Sequence, residues 1–273
     1  MRVDQHPALH AIASLSVFAS SYAATVLLVA YLLRMAGLLA LGQWAWLTGG
    51  VVATLLTISV CEGGRWRIGL QAPARIAVRE LLLGAALAAV LVLAADGLVL
   101  ATTALRHARG SGFSWLELIA VYAPAAIHEE LVFRGYPLQK LRTLSRPVAI
   151  GVTSLVFAAM HGANNGLTAV AFANLLLAGV LLALAYERYG RLWFPIGLHL
   201  AWNLLCGPIL GYDVSGYIPE RSVLTTRGKG APLLTGGIFG IEGSIWIVLV
   251  EVAGIALLLL NARRTKQRVE EQA

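Results

Sequence analysis

WLELIAVYAPAAIHEELVFRGYPLQKL, residues 115–141, is apolar for most of its length yet carries His128, Glu129, Glu130 and Arg134 within seven positions. In a soluble helix these four would be an ordinary solvated face. In a membrane span each charge at the helix centre costs roughly 2.5–3.5 kcal/mol on insertion scales and needs something to offset it. The surrounding chain decides between the two.

Of 273 residues, 58% are hydrophobic and 13% charged, and the mean hydropathy is +0.75. Soluble domains carry about 25% charged residues, so this composition belongs to an integral membrane protein. Apolar runs recur at 11–33, 37–60, 78–101, 115–141, 146–162, 167–186, 191–207 and 243–261. Each is about 20 residues and is read as long enough to cross roughly 30 Å of hydrocarbon. Their Leu, Ala, Val and Gly interiors show no period-2 alternation, which favours helices over a barrel. The expectation is an all-α, polytopic membrane protein of about eight transmembrane helices, a single domain over 1–273. The first run is too long for a signal-peptide core and is read as an anchor.

The net charge of +7 is distributed in a way that sets orientation. With the loops numbered by the spans they join, Arg2, Arg65, Arg67, Arg75, Arg79, Lys140, Arg142, Arg146, Arg188, Arg191, Arg263, Arg264, Lys266 and Arg268 fall at the termini and even loops. Arg34, Arg106, Arg109, Arg221, Arg227 and Lys229 fall in odd loops. Fourteen against six is a positive-inside pattern with both termini cytoplasmic. It gives no reason to invoke nucleic acid; the partners expected are lipids and a membrane-associated peptide or protein. Cys61 and Cys206 fall near opposite ends of their spans and are not expected to bridge.

Residues 62–77 read as a cytoplasmic segment with an interfacial Trp66. The glycine-rich connection 208–242 reads either as a lid or re-entrant cap beside a water-filled cavity or as a plain exposed loop. No internal repeat is evident, which counts against a transporter built from inverted halves.

Polar residues at depth concentrate in three runs: 115–141, His161 one turn after Phe157, and His199 with Asn203 four positions on. Asp96 and Glu251 are exceptions elsewhere. At about 1.5 Å per residue, Glu129 and His161 lie roughly 21 and 22 Å from the cytoplasmic end of their spans, and His199 and Asn203 roughly 12 and 18 Å. These similar heights point to one shared cavity. Glu130 and Arg134 are spaced i, i+4 and can pair along one face. Glu129, about 100° round the helix, is then the free carboxylate. No partner is evident for His128.

One Glu, two His and one Asn suit water activation. Glu129 would take the proton, His161 would hold the water or share the proton, and His199 and Asn203 could donate to a developing oxyanion. Glu129, His161 and His199 could instead hold a divalent metal such as zinc, with water in the open position. The His-Glu-x-x-His zinc motif is absent, since Val132 stands four residues after His128.

The segments EELVFRGYPL, SLVFAAMH and RLWFPIGLHLAWN resemble the three signatures of the CAAX protease and bacteriocin-processing (CPBP, or Abi) family: E-E-x-x-x-R, F-x-x-x-H and H-x-x-x-N/D. The resemblance covers 115–207, spans four to seven, with every signature position kept. TGGIFGIEGS is also similar to a stretch in some bacterial members. The resemblance implies an eight-helix intramembrane endopeptidase. Its substrates would be prenylated proteins in eukaryotes, or targets of peptide processing and immunity in bacteria. It implies Glu129 and His161 as the water-activating pair, His199 and Asn203 as the oxyanion site, and Glu130 and Arg134 as supports. Whether a metal takes part is left open by it. A bacterial plasma membrane is the expected location. Two other readings use the same pocket: a transporter with a Glu/His proton relay, and a non-catalytic scaffold binding lipid or peptide.

Overall fold

The computed structural model describes residues 6–270, with side chains through Leu260. Arg2 therefore lies outside the described residues, as do the side chains of Arg263, Arg264, Lys266 and Arg268. Each of the eight apolar runs holds a helical stretch. They are α1 (Pro7–Met35), α2 (Gly42–Cys61), α3 (Ala74–Thr102), α4 (115–142), α5 (Arg146–Met160), α6 (Ala169–Tyr189), α7 (Trp193–Leu204, prolonged by a π turn over Leu205–Ile209) and α8 (Ile245–Glu270).

The helix boundaries follow local chemistry. Ser114 and Thr168 cap α4 and α6 by accepting from the backbone N–H groups of Glu117 and Ala171, which satisfies a donor the first turn leaves open. Pro147 sits in the first turn of α5, where its missing N–H costs nothing. Gly190, at φ 62°, closes α6 in the left-handed conformation. Within α4, π turns cover Leu118–Tyr122 and Glu130–Gly135. At Gly135 ψ turns to −122° ahead of Pro137, whose ring cannot donate to the preceding turn.

Four helical stretches are long and apolar enough to cross a membrane: Pro7–Met35, Leu39–Cys61, Ala74–Thr102 and Ala169–Tyr189. Each of the eight expected spans thus holds a helix, while among the described residues only these four meet the length and composition a crossing needs. The physical reason is that α5, with 15 residues, rises only about 22 Å, and α4 and α7 are broken by π turns and carry the polar residues. Leu27, Leu28, Leu82, Val90, Leu249 and Val252 face outward on α1, α3 and α8, as lipid-facing residues must in an integral membrane protein.

Helices α1 and α2 form a hairpin laid on α4; α5 pairs with α6; α8 packs against α6 and α3; α3 packs on α7. The α3–α7 contact depends on glycine. A Cβ at Gly84 would collide with the Phe194 carbonyl, and one at Gly197 would collide with that of Leu81. This close backbone approach is the small-residue packing that joins helices in lipid.

The chain is not wholly α. Arg106–Arg109 (β1) pairs antiparallel with Leu224–Arg227 (β2), so the all-α expectation is corrected by a two-stranded ribbon joining two loops. Asp96 anchors it: its carboxylate accepts from Tyr212 Oη (2.6 Å) and lies 3.0 Å from His107 Nε2, on β1. That accounts for a carboxylate deep in α3. Trp66 donates to Gln139 and stands 5.1 Å from Lys140 Nζ, and Glu62 receives both Tyr136 Oη and Lys140 Nζ at 2.6 Å. Segment 62–77 is therefore docked onto the end of α4. Both cysteines are free.

Candidate active site

Glu129 ends the middle α-helical stretch of α4, immediately before a π turn. Such turns bulge a helix by one residue and often mark functional positions. Glu129 Oε2 lies 3.9 Å from His161 Nε2 and 3.7 Å from His199 Nε2. It is buried and has no hydrogen-bond partner among the described residues. Two imidazoles from two other helices thus turn the same ring nitrogen toward one carboxylate oxygen, at distances too long for direct hydrogen bonds.

Each imidazole is oriented from behind. His161 caps α5, and its Nδ1 lies 2.8 Å from the Phe157 carbonyl. A carbonyl only accepts, so Nδ1 carries the proton and Nε2 faces the site. His199 Nδ1 donates to Glu130 Oε1 at 2.8 Å. The same oxygen accepts from Arg134 at 2.9 Å, with both side chains of that pair fully buried. Arg134 also donates to the Gly179 carbonyl and lies 4.6 Å above the Phe157 ring. The expected Glu130–Arg134 pair is present, and the structure widens its role: Glu130 links Arg134 to His199 and orients that ring.

His199 and Asn203, one turn apart on α7, line the same cavity of about 400 Å³ as Glu129 and His161. Connection 208–242 supplies Val214, Ser215, Gly216, Tyr217 and Glu242 to its wall, with Phe239 and Ile241 fully buried. The connection caps the cavity through these residues, while its stretch 227–233 stays exposed. Glu242 holds it closed, accepting from Ser215 N–H (2.5 Å), Ser215 Oγ (2.8 Å) and Trp202 Nε1 (2.9 Å). Ser215 is at φ 48°, a left-handed conformation unusual outside glycine. The sequence reading missed Glu242 and Trp202, although a carboxylate inside a glycine-rich apolar run was a signal for the first. His128 stays outside the cavity wall: its Nε2 lies 2.5 Å from Tyr22 Oη and its ring stacks on Tyr22. Nothing in the sequence tied it to α1.

The donor types of Glu129, His161 and His199 suit zinc, and a carboxylate or carbonyl behind each histidine is the usual second layer of such a site. The two distances from Glu129 to the histidines are a few tenths of an ångström wider than the roughly 3.4 Å that tetrahedral ligands 2.0–2.1 Å from the metal would show. Among the described residues no three His, Cys, Asp or Glu groups meet metal-holding spacing.

Fold and site together define a helical membrane protein with an internal carboxylate–histidine centre enclosed by a cap. Residues 111–205 match the family model described as type II CAAX prenyl endopeptidase, Rce1-like. Over that third of its length the chain is similar to the CAAX protease family, which supports a CAAX-type intramembrane protease in general terms. The matched third of the chain contains Glu129, Glu130, Arg134, His161, His199 and Asn203. No curated protein and no solved structure matches the chain.

Proposed function

We propose that the chain is an intramembrane endopeptidase that hydrolyses a peptide bond of a membrane-associated substrate, prenylated or leader-type, with water activated by Glu129 and His161. One observation carries this reading: two histidine Nε2 atoms face an unpartnered Glu129 oxygen on the wall of a cavity of about 400 Å³.

Glu129 Oε2 accepts a proton from water held by His161 Nε2, and the oxygen attacks the scissile carbonyl carbon. The oxyanion that forms is met by the Asn203 amide and by Nε2–H of His199, which in this role carries both ring protons and keeps Nδ1–H on Glu130. Collapse breaks the C–N bond, and the amine leaves with the proton from Glu129. Charge in this step moves inside a cavity walled by α6, α7 and the cap, where fixed donors act more strongly than in solution. If zinc binds, Glu129, His161 and His199 would hold it, and it would supply Lewis-acid polarisation. Elemental analysis and chelation of purified protein test that requirement.

The chain would cross the membrane eight times with both termini cytoplasmic, as the fourteen-to-six distribution of basic residues supports. The test of function is a comparison of membrane peptides between cells carrying the wild type and Glu129→Gln at equal protein level. New peptide termini should appear only with the wild type. The same termini with Glu129→Gln would sink the assignment.

A further inference from the structure

The cavity that holds Glu129 also takes in Glu251 of α8, a residue with no part in the hydrolysis described. Glu251 is 1% exposed, and its Oε2 has no hydrogen-bond partner among the described residues. Gly254, three positions on and on the same face, meets Leu91 of α3 and Leu181 of α6. Glu251 therefore stands where α8 wedges between those helices. Leu175, Ala178, Leu181 and Leu182 of α6 line the cavity with it.

The charges there do not cancel. Among the described residues the lining holds three carboxylates, Glu129, Glu242 and Glu251, and no Lys or Arg. Glu129 faces two imidazoles, and Glu242 is satisfied by three donors from Ser215 and Trp202. Only Glu251 lacks such compensation within this lining. An ionisable side chain at membrane depth without a partner is costly and marks a site by default. An apolar wall beside a lone carboxylate matches the two parts of a long basic side chain, a methylene stem and a cationic head.

We infer that Glu251 is a specificity residue: it receives a lysine or arginine side chain of the substrate peptide, the stem lying along Leu175, Ala178, Leu181 and Leu182. This rests on the peptidase reading and adds the substrate class, a peptide with a basic residue near the scissile bond.

The test measures binding, so it does not depend on turnover. Full-length Glu129→Gln protein in detergent is titrated calorimetrically with acetyl-Leu-Lys-Leu-amide and with its norleucine counterpart, which keeps the stem and lacks the charge. The lysine peptide should bind ~10- to 100-fold tighter, the range of a buried hydrogen bond to a charged group. Adding Glu251→Gln should bring it to the norleucine level without changing norleucine binding. Glu251→Met, which buries no polar group, reads the same should the amide impair folding. Equal affinities in the Glu129→Gln protein, no saturable binding of the lysine peptide, or a lysine preference that survives loss of Glu251 each overturn the inference. Failure of the hydrolytic assignment appears separately, as cleavage that persists in Glu129→Gln.

Discussion

Replacing Arg134 by alanine separates what holds the site together from what performs its chemistry. Arg134 is fully buried and makes four contacts: Glu130 Oε1 at 2.9 Å, the Gly179 carbonyl at 3.1 Å, and the Phe157 and Phe133 rings at 4.6 and 5.8 Å. Removing one partner of a buried pair costs about 3–5 kcal/mol, because the other charge stays buried alone. Here His199 still donates to Glu130, which tempers the loss, while the vacated cation–π contact adds about 1 kcal/mol. A net cost of about 4 kcal/mol is a large fraction of an ordinary folding stability. It corresponds to a thermal midpoint lowered by about 8–16 °C at this chain size. Thermal unfolding of detergent-purified protein, followed by loss of the monodisperse chromatographic peak, reads it. The double variant Glu130→Leu with Arg134→Met removes both charges and should recover most of the stability, since well-packed apolar replacements of buried pairs are often neutral. It should still be inactive, because His199 has lost the carboxylate that orients Nδ1. A midpoint for Arg134→Ala within 1–2 °C of the wild type would refute the buried-pair reasoning, and so would a double variant as unstable as the single one.

Asn203→Ala should keep the fold and lower cleavage by roughly 10²–10³-fold, the usual cost of one oxyanion donor; a rate within threefold of wild type removes Asn203 from the site. Reporter fusions at the C-terminus and at residue 225 should score on opposite sides of the membrane, and a shared side would rule out the eight-pass arrangement. Gly84→Val should disrupt α3–α7 packing, since its Cβ would meet the Phe194 carbonyl, and should lower the folded yield. By contrast, Gly97→Val on the same helix, where a Cβ meets nothing within 4 Å, should be tolerated apart from a small propensity cost.

Much of this protein is legible in its sequence because a bilayer limits what a chain can do. Backbone groups in hydrocarbon must bond within a helix or a closed barrel, so apolar runs alone marked all eight helical stretches. The cost of charge at depth then singled out Glu129, Glu130, Arg134, His161 and His199. Helical spacing also placed Glu130 with Arg134, because i, i+4 neighbours meet whatever the rest of the fold does.

Other features arise only when distant segments meet. His128 finds Tyr22 and Asp96 finds Tyr212, partners more than 100 residues away, and no periodicity within one span encodes such pairs. The ribbon of β1 and β2 joins two loops whose short polar stretches have little tendency to form strands alone. The cap depends on Glu242 reaching back to Ser215 and Trp202. The link from Arg134 through Glu130 to His199 needs α4 and α7 packed so that one carboxylate oxygen serves both. Local sequence determined the helices and the polar side chains they would bury; tertiary packing decided which of those side chains share a proton, a hydrogen bond or a wall, because those distances exist only once the helices touch.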